Sequence, residues 1–286
     1  RTNAAPPFRF VTGQLTGSYD PEPAATAKNV VVVGAGPAGL EAARVAAERG
    51  HSVTLYEKKG SVGGLLEFAN NVKGPHENLS VLRSYFERQM EVLGVNVMLN
   101  TEATADIIAE ASPDIVIAAT GGVRDTLGLS DTAGTKVVGI DDFMMADIAE
   151  EVVIVGSNVQ AIDAAMYLLA QGKHVQVVTP NAASAIGAGH SFWVKTFTQP
   201  NMKALGVRFW PEATVTAVND GSVTVKTATG IEQEIACGTV VEALDCLPND
   251  SLSTGLSCEV VTVGDAARPF NIGEAICSGN AAARAI

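Results

Sequence analysis

Apolar residues along this chain gather into short runs that end at glycine turns and alternate with amphipathic stretches, a texture that predicts an α/β protein. Residues 30–33 are four valines in a row, the pattern of a strand buried on both faces of a parallel sheet, where an apolar run replaces alternation. Gly34, Gly36 and Gly39 follow, a helix starts among them, and a second strand ends in Glu57. Residues 79–93 carry apolar positions at helical spacing up to Gly94, a suitable helix stop. A strand over 95–99, a short helix over 104–111 and a buried strand over 114–120 running into Gly121 and Gly122 complete one doubly wound unit.

The pattern then repeats. A shift of 122 residues aligns Val30 with Val152, Gly34 with Gly156, Gly50 with Gly172 and Val53 with Val175. From Val207 the texture changes to short strands, VRFW, ATVTAV, SVTVKT and IEQEIA, with Asn219-Asp220-Gly221 as a hairpin signal. Residues 239–243 read as another buried strand, 260–263 as a strand running into Gly264-Asp265-Ala266, and 272–286 as a last helix. The expected architecture is α/β, with two Rossmann-like dinucleotide-binding domains, the second inserted in the first, and a small antiparallel meander. The expected boundaries are a linker or arm over 1–28, a first domain of 29–122 and 247–286, and an inserted domain of 123–246.

Each residue of the first turn has a physical task in nucleotide binding. Gly34 allows the tight turn, Gly36 lets backbone approach a pyrophosphate, and Gly39 lets the helix pack close to the strand. The helix N-terminus supplies unpaired amides and a dipole that favour negative charge. Glu57, eighteen residues after Gly39, is placed to accept from both ribose hydroxyls, and it would repel a 2′-phosphate. The paired glycines Gly63 and Gly64 soon after it would let backbone lie close to a ligand. Gly121 and Gly122 fall at a strand end lining the same crevice. A strand ending in Gly264-Asp265 before a helix offers a carboxylate to a polyol and amides to a ring, which favours FAD over NAD at this first site. The second unit is eroded where chemistry is carried: Asn158 stands in place of Gly36, Ala161 in place of Gly39 and Thr179 in place of Glu57. Asn tolerates unusual backbone angles and is itself able to bond phosphate. Retained nicotinamide-cofactor binding at Gly156, Ser157 and Asn158 and a scaffold that no longer binds both stay open.

A net charge of -12 and a pI near 4.8 leave no basic stripe for nucleic acid or an anionic membrane. No stretch approaches the ~18 apolar residues of a membrane span, and no signal peptide stands out, so a soluble, cytoplasmic protein is expected. The first residue is Arg1, which leads to the expectation of a fragment or a processed product. Cys237, Cys246, Cys258 and Cys277 form no C-x-x-C pair and read as small hydrophobes rather than cluster or redox thiols. No metal site is expected. His51 and His174, in equivalent turns, read as solvent-facing. His76 and His190 lie in loops without an obvious carboxylate partner, and Trp193 and Trp210 read as packing residues. No catalytic side chain is singled out, because flavin hydride transfer asks mainly for positioning.

Two dinucleotide units with Ala119-Thr120-Gly121 and a terminal Gly264-Asp265-Ala266 resemble the two-dinucleotide flavoprotein oxidoreductases. More narrowly, GAGPAGLEAARVAAERGHSVTLYEK followed by GGLLEFA is similar to the C-terminal half of the old-yellow-enzyme-like group that includes 2,4-dienoyl-CoA reductase, 2-enoate reductases and trimethylamine dehydrogenase. The resemblance covers about residues 28–286. It implies Gly34, Gly36 and Gly39, with Pro37 and Ala38, on the FAD pyrophosphate, and Glu57 with Lys58 at the adenosine ribose. Gly63, Gly64 and Leu65 would lie at the ribityl chain and ring, Asp265 at the ribityl hydroxyls, and Ala275 and Ile276 near the ring. Ala103, Ala119, Thr120 and Gly121 complete the expected lining. In that group NAD(P)H reduces the FAD, an iron-sulfur cluster relays electrons, and an FMN in a barrel performs the substrate chemistry. The chain thus reads as the electron-input part of a larger reductase, with the barrel as domain or partner subunit. It departs from the group at Asp245, where relatives have glycine, and this acid would hinder a cofactor. Trimethylamine dehydrogenase relatives hold only ADP at the first site, which is the alternative ligand here.

Overall fold

The computed structural model describes residues 21–74, 77–190, 192–249, 251–252 and 256–286. His76 and most of the expected arm over 1–28 lie outside them. In chain order the first elements are β1 (Asn29–Val33), α1 (Pro37–Glu48), β2 (Ser52–Tyr56), α2 (Leu66–Lys73), α3 (Leu79–Leu93), β3 (Asn96–Met98), α4 (Ala105–Glu110), β4 (Ile115–Ala118) and β5 (Val123–Arg124). There follow β6 (Lys136–Gly139), β7 (Glu151–Val155), α5 (Val159–Ala170), β8 (His174–Val178), α6 (Phe192–Ala204), β9 (Arg208–Trp210), β10 (Ala213–Asn219), β11 (Ser222–Thr227), β12 (Glu232–Ala236) and β13 (Thr239–Glu242). The chain closes with β14 (Cys246–Leu247), β15 (Glu259–Thr262) and α7 (Ile272–Ala285). It divides into two compact units, Arg1–Val123 with Cys246–Ile286, and Arg124–Asp245.

Unit 1 is built on a parallel sheet of order β15-β4-β1-β2-β3. Val30, Val31 and Val32 are fully buried at its centre, which explains why β1 is apolar at every position. Val30 and Val32 face a core shared with Leu40, Val45, Phe86 and Ile276, while Val31 packs on the other side with Ile108 and Val116. Unit 2 repeats the plan with a parallel sheet of order β6-β13-β7-β8-β9. There the antiparallel meander β10-β11-β12 lays Val215, Val223, Val225 and Ile235 against Val153, Val155 and Val178. The α/β class read from the pattern therefore holds.

The repetition extends to single backbone hydrogen bonds. Gly34 N donates to Tyr56 O at 2.8 Å and Gly156 N to Val178 O at 2.9 Å. Ala119 N donates to Val33 O and Ala243 N to Val155 O, both at 2.8 Å. Gly63 N bonds Ala35 O at 2.8 Å and Gly187 N bonds Ser157 O at 2.7 Å, so even the loop after the second strand is folded alike. Gly34 and Gly156 have φ of 101° and 144°, and a Cβ on either would overlap the carbonyl of Ala119 or Ala243. Only glycine fits at those two places.

Besides the two-residue strands β5 and β14, the sequence pattern missed α2, α6 and β6. α2 follows the Gly63-Gly64 turn without a side-chain cap on its N-terminus, α6 runs through the internal Pro200, and β6 is four residues of an edge strand.

The expectation that both turn histidines face solvent fails for His51. That ring is buried, and its Nδ1 accepts from Lys28 N at 3.1 Å. Its counterpart His174 is exposed, with Nδ1 2.7 Å from Glu151 Oε1, and that carboxylate raises its pKa. Burial, then the charges of Arg49 and Lys28, holds the His51 ring below its ordinary value. Below the unfolded value of about 6.5 the unfolded chain therefore binds more protons at this position than the fold does. The stability His51 contributes is full above that pH and is lost as pH falls toward the folded value. Urea midpoints should drop between about pH 7 and 5, and less steeply in His51→Asn. Equal slopes in the two proteins would show that His51 does not titrate this way.

Candidate functional site

In unit 1 the turns that follow β1, β2, β4 and β15 meet at the carboxyl ends of the strands, where open α/β sheets bind ligands. Of the residues singled out from sequence, Gly34, Gly36, Pro37, Ala38, Gly39, Gly64, Ala119, Thr120, Gly264 and Ala275 approach one another there. Gly64 approaches Gly36 so closely that a Cβ on Gly64 would lie 3.0 Å from Gly36 Cα, and a Cβ on Gly264 would lie 2.7 Å from that of Ala38. A Cβ on Gly39 would overlap the Gly34 carbonyl and lie 3.1 Å from Ala119 Cβ. A side chain on Gly36 or Gly121, by contrast, meets no atom within 4 Å. These two glycines border open space, the shape of a cradle.

α1 begins at Gly36 with no side-chain cap, Pro37 at its first position and no acid in the first turn. Its leading amides are left for an anion. Glu57 is 8% exposed, and each of its carboxylate oxygens accepts one backbone amide: Oε2 from Ala35 N and Oε1 from Lys59 N, both at 2.8 Å. Glu57, expected from sequence at a ribose, is thus a brace of the turn after β1. Lys58 is exposed beside it, and Thr101 N donates to Glu57 O at 2.9 Å, bringing residues 101–103 alongside. Ala103 itself packs with Val31, Val33 and Ile108. The Thr120 hydroxyl is enclosed and makes no hydrogen bond within the protein. Gly264 N donates to Ser278 Oγ at 2.9 Å, and Phe270 N to Asp265 Oδ1 at 3.3 Å. Ala275 and Ile276 are buried in the first turns of α7, which Asn271 caps through Glu274 N at 2.9 Å.

Unit 2 has the same turn with different side-chain economics. Asn158 caps α5 itself, Oδ1 accepting from Ala161 N at 3.0 Å, while Nδ2 donates to Ala243 O at 3.0 Å and Leu244 O at 3.1 Å. Asp245 Oδ1 stands 3.4 Å from the same Nδ2, which places a negative charge at the turn. Thr179 is fully buried and accepts from Asn181 N at 3.2 Å, and Asn181 Nδ2 donates to Ser157 Oγ at 2.9 Å. Thr179, Asn181 and Ser157 brace this turn as Glu57, Lys59 and Ala35 brace the first. Sequence reading placed no partner beside His190, yet its Nε2 lies 3.8 Å from Asp163 Oδ1, both side chains being about nine-tenths buried.

The cysteines are free thiols. Burial pushes Cys237 up to about 11, which makes it inert at neutral pH. Trp210 Nε1 donates to Gln176 Oε1 at 2.9 Å, and Arg208 stacks 4.3 Å over its ring. Among the described residues no helix is long and apolar enough to cross a membrane, and no group of three or more His, Cys, Asp or Glu is placed to hold a metal.

The pyridine nucleotide-disulphide oxidoreductase family matches residues 28–265, and the chain belongs to it. Membership makes the chain a flavoprotein oxidoreductase module of FAD- and NAD-binding Rossmann type. It is 39% identical over 157 residues to an NADH oxidase of Thermoanaerobacter brockii, an alignment covering 53% of this chain and 24% of that protein. It is 38% identical over 153 residues to a cinnamate reductase of Clostridium sporogenes, covering 53% and 23%. A 2-naphthoyl-CoA reductase structure superposes with a TM-score of 0.82 at 33% identity, over 93% of this chain and 41% of that one. Histamine dehydrogenase from Rhizobium sp. 4-9 shares the fold, with a TM-score of 0.78 at 24% identity, over 93% and 45%. The matched segments thus span about a quarter of the length of these two curated relatives, and the chain less than half of either solved structure.

Proposed function

We propose that this chain is the electron-input module of a larger flavin-dependent reductase, with FAD in unit 1 and NAD(P)H at a reduced site in unit 2. The observation that carries the first half is the cradle of unit 1. The uncapped N-terminus of α1, the open face of Gly36 and the unbonded Thr120 hydroxyl all fit a bound dinucleotide. Bound there, FAD would supply two-electron acceptance from a reduced nicotinamide and one-electron delivery to a neighbouring centre. The protein's part is to hold and orient. Amides of the α1 first turn would hold the pyrophosphate, Glu57 beside Lys58 would accept from ribose hydroxyls, and Gly63, Gly64 and Leu65 would let backbone lie close to the ribityl chain. Asp265 would accept from ribityl hydroxyls, and Ala275 and Ile276 would place the amide end of α7 by the ring. The proposed onward acceptor is a barrel domain or subunit with FMN and an iron-sulfur cluster, consistent with the much greater length of the relatives.

The purified protein should be yellow, and anaerobic NADH should bleach it. A colourless protein that takes up no added FAD would sink this reading. A second reading has its own support: the self-capped α5 and Asp245 at the second turn disfavour a pyrophosphate there, as befits a module holding ADP in unit 1 without nicotinamide chemistry. Release of ADP and no flavin on denaturation would favour it.

A further inference from the structure

Helices α1 and α7 of unit 1 touch almost backbone to backbone, since a Cβ on Gly279 would overlap the Ala38 carbonyl. Both are rich in alanine and glycine, with the sequences PAGLEAARVAAE and IGEAICSGNAAARA. Small residues permit close approach, and Gly279 already disfavours a one-turn slide, since Ala275 or Ala283 in its place would bring a Cβ onto the Ala38 carbonyl; a polar bond between the helices adds a second check on register.

One turn beyond that contact lies a buried polar group. Glu41 is 2% and Asn280 5% exposed. Glu41 Oε1 accepts from Asn280 Nδ2 at 2.7 Å and from Arg44 Nη2 at 2.8 Å, and Oε2 accepts from Arg44 Nε at 2.7 Å. Arg44 Nη1 also reaches Glu48 Oε2 at 2.8 Å, and Arg284 Nε donates to Asn280 Oδ1 at 2.8 Å. The ion pairs lie within α1, and the Asn280 bond crosses to α7 inside the core, as do the bonds from Arg49 Nη1 to Ala283 O and Ile286 O, at 2.7 and 2.8 Å, at the ends of the two helices. A shift of α7 by one turn, about 5.4 Å, would break that bond inside the core and carry Ser278 away from Gly264. Ser278 Oγ accepts from Gly264 N and donates to Ala275 O, both at 2.9 Å.

We propose that Asn280 is a positioning residue: through buried Glu41 it locks, together with Gly279 and Arg49, the register of α7 on α1, and so through Ser278 it holds the Gly264-Asp265 turn and the first turns of α7 in place. A single buried polar residue that fixes helix register is the best-attested use of such groups. The consequence for a cofactor rests on the FAD reading of unit 1, whereas the register itself does not.

The test is Asn280→Leu in the full chain, which leaves the Glu41–Arg44–Glu48 ion pairs in place. Amides of Gly264, Ala275 and Ile276 in the nucleotide-free protein should exchange about tenfold faster, a loss of about one hydrogen bond, while those of β1 and β2 keep the wild-type rate. Unchanged exchange at the three amides, or a uniform increase across unit 1, would overturn the proposal, the latter by showing only general loss of stability. In wild type that binds FAD, the variant should also show an altered visible circular-dichroism band of the flavin. A wild type that takes up no flavin defeats the FAD reading alone, and the exchange comparison still decides the register.

Discussion

Gly36→Val should fold almost as well as wild type and lose its nucleotide. The substituted side chain enters space that holds no protein atom, and Gly36 sits at φ −75° and ψ −179°, extended backbone that valine adopts without strain. The folding cost is that of a poorer helix cap, within about 1 kcal/mol. The same two methyl groups would lie where the pyrophosphate meets the α1 amides. Displacing it from two charge-assisted bonds at ~1.5 kcal/mol each lowers affinity on the order of 100-fold. Titration with FAD or ADP beside a urea melt reads both quantities. A variant that binds as wild type does would show that nothing approaches Gly36.

Gly39→Val is the matching control with the opposite signature. A Cβ there overlaps the Gly34 carbonyl and crowds Ala119, so the helix must move off the sheet. The expected destabilisation is about 3 kcal/mol, near the upper end of ordinary overpacking. The glycine triplet therefore divides by surroundings: Gly34 and Gly39 are enclosed by strand and helix, whereas Gly36 borders open space, where the proposed ligand would lie.

That division was only partly legible in the chain. Four valines before a glycine triplet, and the like run VVIV 122 residues later, are enough to predict both parallel sheets, because a strand buried on two faces needs an uninterrupted apolar run. What pattern reading misses is the second partner of a polar group. Glu57 looked like a ribose ligand, and nothing local shows that it also ties down Ala35 N and Lys59 N. Asn158 looked free to reach a phosphate, but its amide and carbonyl are taken by Ala243, Leu244 and Ala161. His51 and His174 occupy equivalent turns, yet only His51 meets an incoming backbone amide, from Lys28, and is buried. The Glu41–Asn280 bond spans 239 positions. Its one local signal is a carboxylate among the alanines of α1, at a helical position whose neighbours are all buried.

Glu57→Ala and Glu57→Thr should separate the two tasks of that carboxylate. Alanine leaves Ala35 N and Lys59 N without their acceptor, at a cost of about 1 kcal/mol or more for the buried Ala35 amide and less for that of the exposed Lys59. Threonine is the protein's own alternative, since Thr179 at the matching place in unit 2 accepts from Asn181 N through its hydroxyl and the turn there keeps the same backbone bonds. Glu57→Thr should therefore recover part of the lost stability, about 1 kcal/mol in a urea melt. It should recover none of the binding. Both variants lack the charged acceptor proposed for the ribose hydroxyls, so affinity for ADP or FAD should fall in each by ~1.5 to 3 kcal/mol, roughly 10- to 150-fold. If threonine restored affinity together with stability, Glu57 would be a brace of the turn and not a ligand. If neither variant lost affinity, the adenosine ribose would have to lie elsewhere in unit 1.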